Sequence, residues 1–322
     1  MAERITSIMK DMADAIREKT GKEDLIKGED IPQAIRDIEA SIGDYAVFYN
    51  TVDSSGKLTD ITISVKSDYG RIPTNKLLPL SLKIVRLEGV KHIPADFLNF
   101  SISGLTDTVP FTTIYMDDDI ETIGANAFKA RSWTSTPDGL KYIYFPDGTK
   151  NRIPKKVTAI PDYCFYGCGN FRNVELHDDI KSIGKYAFNT RISKLCTIKN
   201  TELPTSLKTI GDYAFDNQQI PLTVIPASVT TIGTRAFAIN EAIAVLTFLG
   251  TPTTIKNLAF MNNTKLTQVT FAGTGTPTSI DAKAFNGCTA LATINVPWAE
   301  GAVANAPWGA TNATINYNYT GG

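Results

Sequence analysis

A hexapeptide that begins with Ile and ends with Phe returns seven times along the chain: IGANAF (123–128), IPDYCF (160–165), IGKYAF (183–188), IGDYAF (210–215), IGTRAF (232–237), IKNLAF (255–260) and IDAKAF (280–285). The Phe residues at 128, 165, 188, 215, 237, 260 and 285 stand 37, 23, 27, 22, 23 and 25 positions apart, so the unit is about 23 residues with turns of variable length. IPADFL (93–98) is an earlier, degenerate copy. A unit this short cannot bury its own apolar face and must stack on the next one.

Between the hexapeptides lies a second recurring element of three apolar positions. It reads Leu82/Val85/Leu87, Phe111/Ile114/Met116, Leu140/Ile143/Phe145, Phe171/Val174/Leu176, Ile243/Leu246/Phe248, Leu266/Val269/Phe271 and Leu291/Ile294/Val296. Its last positions alternate, as in a strand with one buried face. The stretches around 195–198 and 222–225 fit less well. A third element, apolar-x-x-Ile, leads into the hexapeptide at Ile120/Ile123, Val157/Ile160, Ile180/Ile183, Leu207/Ile210 and Val229/Ile232. Each repeat therefore predicts one strand and one short helical turn of Ala-Phe packing, with the Phe inside. At about 4.8 Å per step, about nine strands make a solenoid about 40 Å long.

These residues resemble the surface-antigen (BspA-type) leucine-rich repeat family, whose consensus runs Leu-x-x-Ile-x-Ile-Pro-x-Ser-Val-Thr-x-Ile-Gly-x-x-Ala-Phe. VIPASVTTIGTRAF (224–237) and VELHDDIKSIGKYAF (174–188) carry the likeness best. It covers roughly residues 80–296 and implies a right-handed solenoid used for binding, in a family that includes adhesins.

The two ends are different material. Residues 1–43 hold 7 basic and 10 acidic residues. Ile5, Ile8, Met9, Met12 and Ile16 share one helical face; Ile31, Ile35, Ile38 and Ile42 share another, behind Asp30 as N-cap. Two short amphipathic helices are marginal alone and need a surface to dock on, either the first solenoid repeat, which they would cap, or another subunit or assembly. Residues 44–80 read as a β-hairpin connector, YAVFYNTV and LTDITISV around a polar turn, and 81–296 as the solenoid. After the last repeat, 297–322 form an aromatic-rich C-terminal cap in which Trp298, Trp308, Tyr317 and Tyr319 cover the open end. The fold class is thus a leucine-rich solenoid, mainly β with short helical turns, preceded by a small helical module.

With 32 Lys+Arg against 33 Asp+Glu, no nucleic-acid partner is expected. No apolar run is long enough for membrane insertion, and MAERITSIMKDMADAIREK has no hydrophobic core of an export signal. Such a chain is expected either to stay in the bacterial cytoplasm where it is assembled or to leave the cell inside a larger assembly. Segment 13–38, with its AIR-x-KTG and IP-x-AI-x-x-I patterns, resembles the N-terminal module of tail-fibre and baseplate proteins of phages and prophages of Gram-positive hosts. That resemblance implies a virion tail component that docks to other tail proteins through residues 1–43. It also implies a homo-oligomer, a trimer by analogy with tail fibres, with Ile5, Ile8, Met12, Ile16, Ile31, Ile35 and Ile38 as contacts.

No catalytic constellation emerges, so an enzyme is not expected, nor a cofactor. The acidic runs MDDDI (116–120) and LHDDI (176–180) lack EF-hand spacing and read as solvated turns. Cys164 and Cys168 have no second pair for a metal, while Cys168 aligns with Cys288 in FYGCGNF and FNGCTAL, where a small apolar residue packs. GTGTP (273–277) lacks the rest of a phosphate loop. Binding is expected where loops break the period. The long interval from Phe128 to Phe165 holds two insertions, 129–139 and 146–156. Trp133 in the first, and Lys150, Arg152, Lys155 and Lys156 in the second, are the candidate contacts for a host-surface glycan or protein.

Overall fold

The computed structural model describes residues 40–42, 45–52, 58–65, 83–98, 112–130, 139–190 and 198–321. Ile5, Ile8, Met12, Ile16, Ile31, Ile35 and Ile38 lie outside the described residues. Strand β1 (Ala40–Ile42) pairs antiparallel with β2 (Tyr45–Val52), Ile42 opposite Tyr45. Ile42 is therefore strand rather than the end of a helical face, because a backbone committed to a ladder cannot also make helical hydrogen bonds.

β2 folds back on β3 (Leu58–Val65) with bulges near Thr51, and β3 pairs in parallel with β4 (Ile84–Glu88), Ile61 against Val85 and Ile63 against Leu87. The hairpin connector thus supplies the first rung of the stack. β4, β6 (Thr113–Tyr115) and β8 (Tyr142–Tyr144) continue that sheet. Further along, β12 (Val224–Ile225), β14 (Val245–Phe248), β16 (Gln268–Phe271), β18 (Thr293–Asn295) and β19 (Thr314–Asn316) form a second sheet of the same kind. Single parallel bridges Arg152–Glu175, Val174–Ile198 and Glu202–Val224 join the two.

The hexapeptide starts make two further ladders. In one, β5 (His92–Ile93) pairs with β7 (Thr122–Ile123); in the other, β9 (Ala159–Ile160), β10 (Ser182–Ile183), β11 (Thr209–Ile210), β13 (Thr231–Ile232), β15 (Thr254–Ile255) and β17 (Ser279–Ile280) follow one another. All these pairs are parallel, with each Ile opposite the next. From β3 onward the named strands pair only in parallel, as a coil that advances one rung per repeat requires.

One core runs the length of the coil between these ladders. Phe128, Phe165, Phe188, Phe215, Phe237, Phe260 and Phe285 are each no more than 2% exposed. Their rings stack one per repeat, with centroids 5.5, 5.3, 5.4, 5.3, 5.4 and 5.3 Å apart. The strand triplets fill the rest: Val85, Ile114, Ile143, Val174, Leu246, Val269 and Ile294 are all fully buried. Trp308 is buried at the far end, and β19 adds a last rung on β18, so the C-terminal segment closes the stack.

Among the described residues the second half of the hexapeptide is not helical. Position four takes a left-handed conformation in copy after copy, at Asp96, Asn126, Tyr163, Tyr186, Tyr213, Arg235 and Leu258. Within one copy, the Ala214 amide donates to the Gly211 carbonyl (3.3 Å), the pattern of a type II turn. The amides at positions four and six donate instead to the next repeat: Tyr213 to Thr234 and Phe215 to Ala236, both at 2.8 Å. With those donors used between repeats, no helical ladder can form. A left-handed tyrosine costs about 1–2 kcal/mol. The inter-repeat bonds and the stacking of Tyr163 on Tyr186 (4.9 Å) and Tyr186 on Tyr213 (4.5 Å) offset that strain. The turns approach so closely that a Cβ on Gly211 would stand 2.6 Å from the Gly184 carbonyl carbon, which is why glycine recurs at position two.

Three residues past the Phe, at 168, 218, 240, 263 and 288, a polar side chain ties the repeat to its predecessor. Asn263 donates to the Phe237 carbonyl (3.1 Å) and accepts the Asn240 amide (2.7 Å). Cys168 and Cys288 occupy the same position, and their thiols donate to the carbonyls of Phe128 and Phe260, each at 3.0 Å. Their site is thus a hydrogen-bonding one as well as a tight one. Burial pushes both thiols up to about 12.

Candidate ligand-binding surface

The strands of the first sheet place alternate side chains outside. In KYIYF (141–145), Ile143 and Phe145 are buried, which turns Tyr142 and Tyr144 outward. The parallel register sets Tyr144 beside Tyr115, and Tyr115 beside Arg86. Tyr115 and Tyr144 stack at 5.2 Å, the Arg86 guanidinium lies 4.1 Å from the centre of the Tyr115 ring, and Arg86 also bonds Asp60 at 3.2 Å. Tyr142 tilts against Tyr144 at 5.7 Å.

Beside Tyr142 opens a groove of about 480 Å³, lined by Lys141, Tyr142, Lys150, Asn151, Asn170, Arg172, Asn173, Glu175 and Lys199. Asn151 sets its floor. Its side-chain oxygen accepts the Ile143 amide (3.1 Å) and its nitrogen donates to the Arg172 carbonyl (2.9 Å), so the loop after β8 is fastened to the next repeat. Lys199 pairs with Glu175 at 3.2 Å. Lys141 and Lys150 lie 5.1 and 5.9 Å from the Tyr142 ring centre. Among the described residues no carboxylate forms an ion pair with Lys141, Lys150 or Arg172.

The structure separates the four basic candidates. Lys150 faces this groove. Arg152, Lys155 and Lys156 meet the acidic run of the preceding repeat instead. Arg152 bonds both Asp118 oxygens and reaches Asp147 (3.2 Å), and its guanidinium lies 3.6 Å from the Phe145 ring centre. Lys155 offers its amide (3.0 Å) and its ammonium (3.4 Å) to Asp118, and Lys156 meets Asp119 at 2.6 Å. Burial alone would raise the Asp118 carboxyl, but the hydrogen bonds from Arg152 and the Lys155 amide, with both positive charges, hold it at about 2. These charges fasten one repeat to the next. MDDDI and LHDDI do the same work, since Asp178 accepts the Thr205 amide (2.9 Å) as Asp118 accepts that of Lys155.

Residues 146–156 are accordingly not one insertion. Ile153-Pro154-Lys155-Lys156-Val157 is the lead-in of an ordinary repeat, equivalent to Leu203-Pro204-Thr205-Ser206-Leu207 and Ile225-Pro226-Ala227-Ser228-Val229. Only the tight loop 146–150 is extra. It is closed by the Phe145 amide on the Thr149 carbonyl (3.0 Å) and by Asp147 accepting the Thr149 amide (2.9 Å). Trp133 lies outside the described residues. Lys141, Tyr142, Arg172 and Asn173 were missed as site residues; the signal was their polar character at the outward positions flanking Ile143 and Val174. Among the described residues no group of three His, Cys, Asp or Glu is placed to hold a metal ion.

Residues 141–195 and 193–300 match the family described as "BspA type Leucine rich repeat region", in six copies. The repeat region belongs to the BspA type leucine-rich repeat family. Solved structures similar to this BspA type chain include a leucine rich cell surface protein from Faecalibacterium prausnitzii, 18% identical over 88% of this chain and 95% of that one, with a TM-score of 0.32. A leucine-rich repeat protein from Bacteroides ovatus is 16% identical over 81% and 84%, with a TM-score of 0.40. The pneumococcal vaccine antigen PcpA is 13% identical over 86% and 98%, with a TM-score of 0.41. Comparison with curated proteins finds no match.

Proposed function

We propose that this chain is a non-enzymatic, receptor-binding component of a phage or prophage tail, in the tail fibre or baseplate, presenting its leucine-rich solenoid to the host surface. The observation that supports binding is the groove around Tyr142. Arg152, Lys155 and Lys156 pair with the acidic run of the preceding repeat and Lys199 with Glu175, whereas Lys141, Lys150 and Arg172 are exposed with no acidic partner among the described residues. A surface feature that the fold does not need for its own cohesion is the natural place for a partner.

The tail setting rests on the resemblance of 13–38 to the N-terminal modules of tail proteins. In that setting residues 1–43 attach the chain to other tail proteins or join copies of it, and the protein is assembled in the bacterial cytoplasm before it reaches the virion tail. No cofactor enters this reading. A second reading, a bacterial cell-surface adhesin or protein-interaction module, is favoured by the repeat family itself.

Mass spectrometry of purified particles from a producing strain, with whole-cell binding by the full chain, tests both halves. Presence in the particle and saturable binding to host cells is the expected result. Cell binding with absence from the particle would replace the tail reading with the adhesin.

A further inference from the structure

Charge decides what the groove beside Tyr142 can take. Its neighbouring aromatic rings are already covered: Tyr115 lies between Arg86 and Tyr144, and Tyr144 between Tyr115 and Tyr142. A neutral sugar ring seeking an aromatic face finds these occupied. Lys141 and Lys150, in contrast, are held against the Tyr142 ring without being neutralised, and Arg172 presents an exposed planar fork of the kind that matches carboxylate and phosphate oxygens. Asn173 and the Tyr142 hydroxyl add neutral hydrogen-bonding groups along the same walls. The groove, about 480 Å³, is far larger than one carboxylate or phosphate group and falls in the range of clefts that take ligands of several linked units' size. Its cations come from the strand lead-in and the 146–150 loop of one repeat and from the turn before Val174 of the next, so they line it from two adjacent repeats.

We infer that this groove binds a segment of a linear anionic polysaccharide, one that carries carboxylate or phosphate oxygens on successive units. The inference rests on the receptor-binding reading and names the chemistry of the receptor. Carboxylate and phosphate share the same recognition by Lys141, Lys150 and Arg172, and the test separates them.

The full chain is titrated against immobilised polygalacturonate, polyphosphate and neutral dextran. Saturable binding to at least one anionic polymer and none to dextran is expected, the preferred polymer identifying the anion. The Lys150→Glu/Arg172→Glu double variant should bind at least about tenfold more weakly, as expected for lost charged hydrogen bonds, while Lys208→Glu in the hexapeptide ladder leaves affinity unchanged. If the double variant melts lower than the parent, Lys141→Gln, whose side chain makes no ion pair among the described residues, replaces it and should still weaken binding. Equal affinity of parent and groove variants, equal loss in Lys208→Glu, binding to dextran, or no binding to either anionic polymer would overturn the assignment. Host-cell binding that survives the groove variants keeps the receptor-binding reading and removes the groove; binding to an anionic polymer without binding to cells does the reverse.

Discussion

Arg152 clamps the Asp118 carboxylate of the preceding repeat, 34 positions away, with one guanidinium nitrogen on each oxygen. The pair is partly buried, with side chains 12% and 32% exposed, and the Lys155 amide shares the same carboxylate. Replacing Asp118 with Asn removes the charge and weakens three contacts at once. At neutral pH the variant is expected to lose about 1–2 kcal/mol, the lower part of the range for charged hydrogen bonds because a third of the carboxylate remains in water. Urea unfolding of the two proteins measures it.

The same pair predicts a pH signature. The folded carboxyl sits at about 2, below its ordinary 3.8, so its stabilisation is complete above the unfolded value and fades as pH falls through the folded one. The stability gap between the parent chain and Asp118→Asn should be constant from pH 7 down to about 5, then close between about pH 4 and 2. A gap that persists unchanged at pH 2 would show that Asp118 acts through packing.

Phe215 stands at the middle of the ring stack, fully buried between Phe188 and Phe237 at 5.4 and 5.3 Å. Phe215→Ala leaves a cavity that the two neighbouring repeats share, and the expected loss is about 3–5 kcal/mol. Because each repeat is stabilised by its neighbours, hydrogen exchange should show the weakening centred on 183–237 and fading toward the ends. Uniform destabilisation would mean that the coil unfolds as one unit.

How far these features were legible in the sequence depends on what fixes them. The buried register was legible, because Ile210, Ala214 and Phe215 recur as residue types at fixed offsets. The turn between them was not. Tyr, Arg, Leu, Asn and Asp all take the left-handed position, so the conformation follows from hydrogen bonds between repeats rather than from residue type. Both partners of the Asp118–Arg152 clamp were visible as charge runs, but only stacking one repeat on the next makes residues 34 apart neighbours. The repeat lead-in at Ile153-Pro154 was hidden by the loop 146–150, which drew Arg152, Lys155 and Lys156 into an apparent insertion. The groove depends on which rungs adjoin, and Lys150 alone was recognisable in advance.

Cys288 and Asn263 hold equivalent places, each donating to the carbonyl of the preceding Phe. If that bond matters more than small apolar packing, Cys288→Asn should stay within about 1 kcal/mol of the parent. Cys288→Val, similar in bulk but with no donor, should lose about 0.5–1.5 kcal/mol, the net worth of one hydrogen bond, because Asn263 still donates to the Phe260 carbonyl at 3.0 Å. Urea midpoints that favour Val over Asn would return the site to simple packing.

β1 lies along the outer edge of β2, so a truncation that removes residues 1–43 also strips that edge and leaves its amides and carbonyls open to another chain. Cutting before Ala40 keeps the edge covered. A chain lacking residues 1–38 should therefore melt at the parent temperature while losing self-association, whereas one lacking 1–43 should aggregate through β2. Light scattering and thermal melts on the three chains provide the comparison. A monomeric full-length protein would remove self-assembly through Ile5, Ile8, Met12, Ile16, Ile31, Ile35 and Ile38, and leave docking to a different tail protein as the role of the segment. A chain lacking 1–38 that no longer folds would instead make the segment a cap of the solenoid.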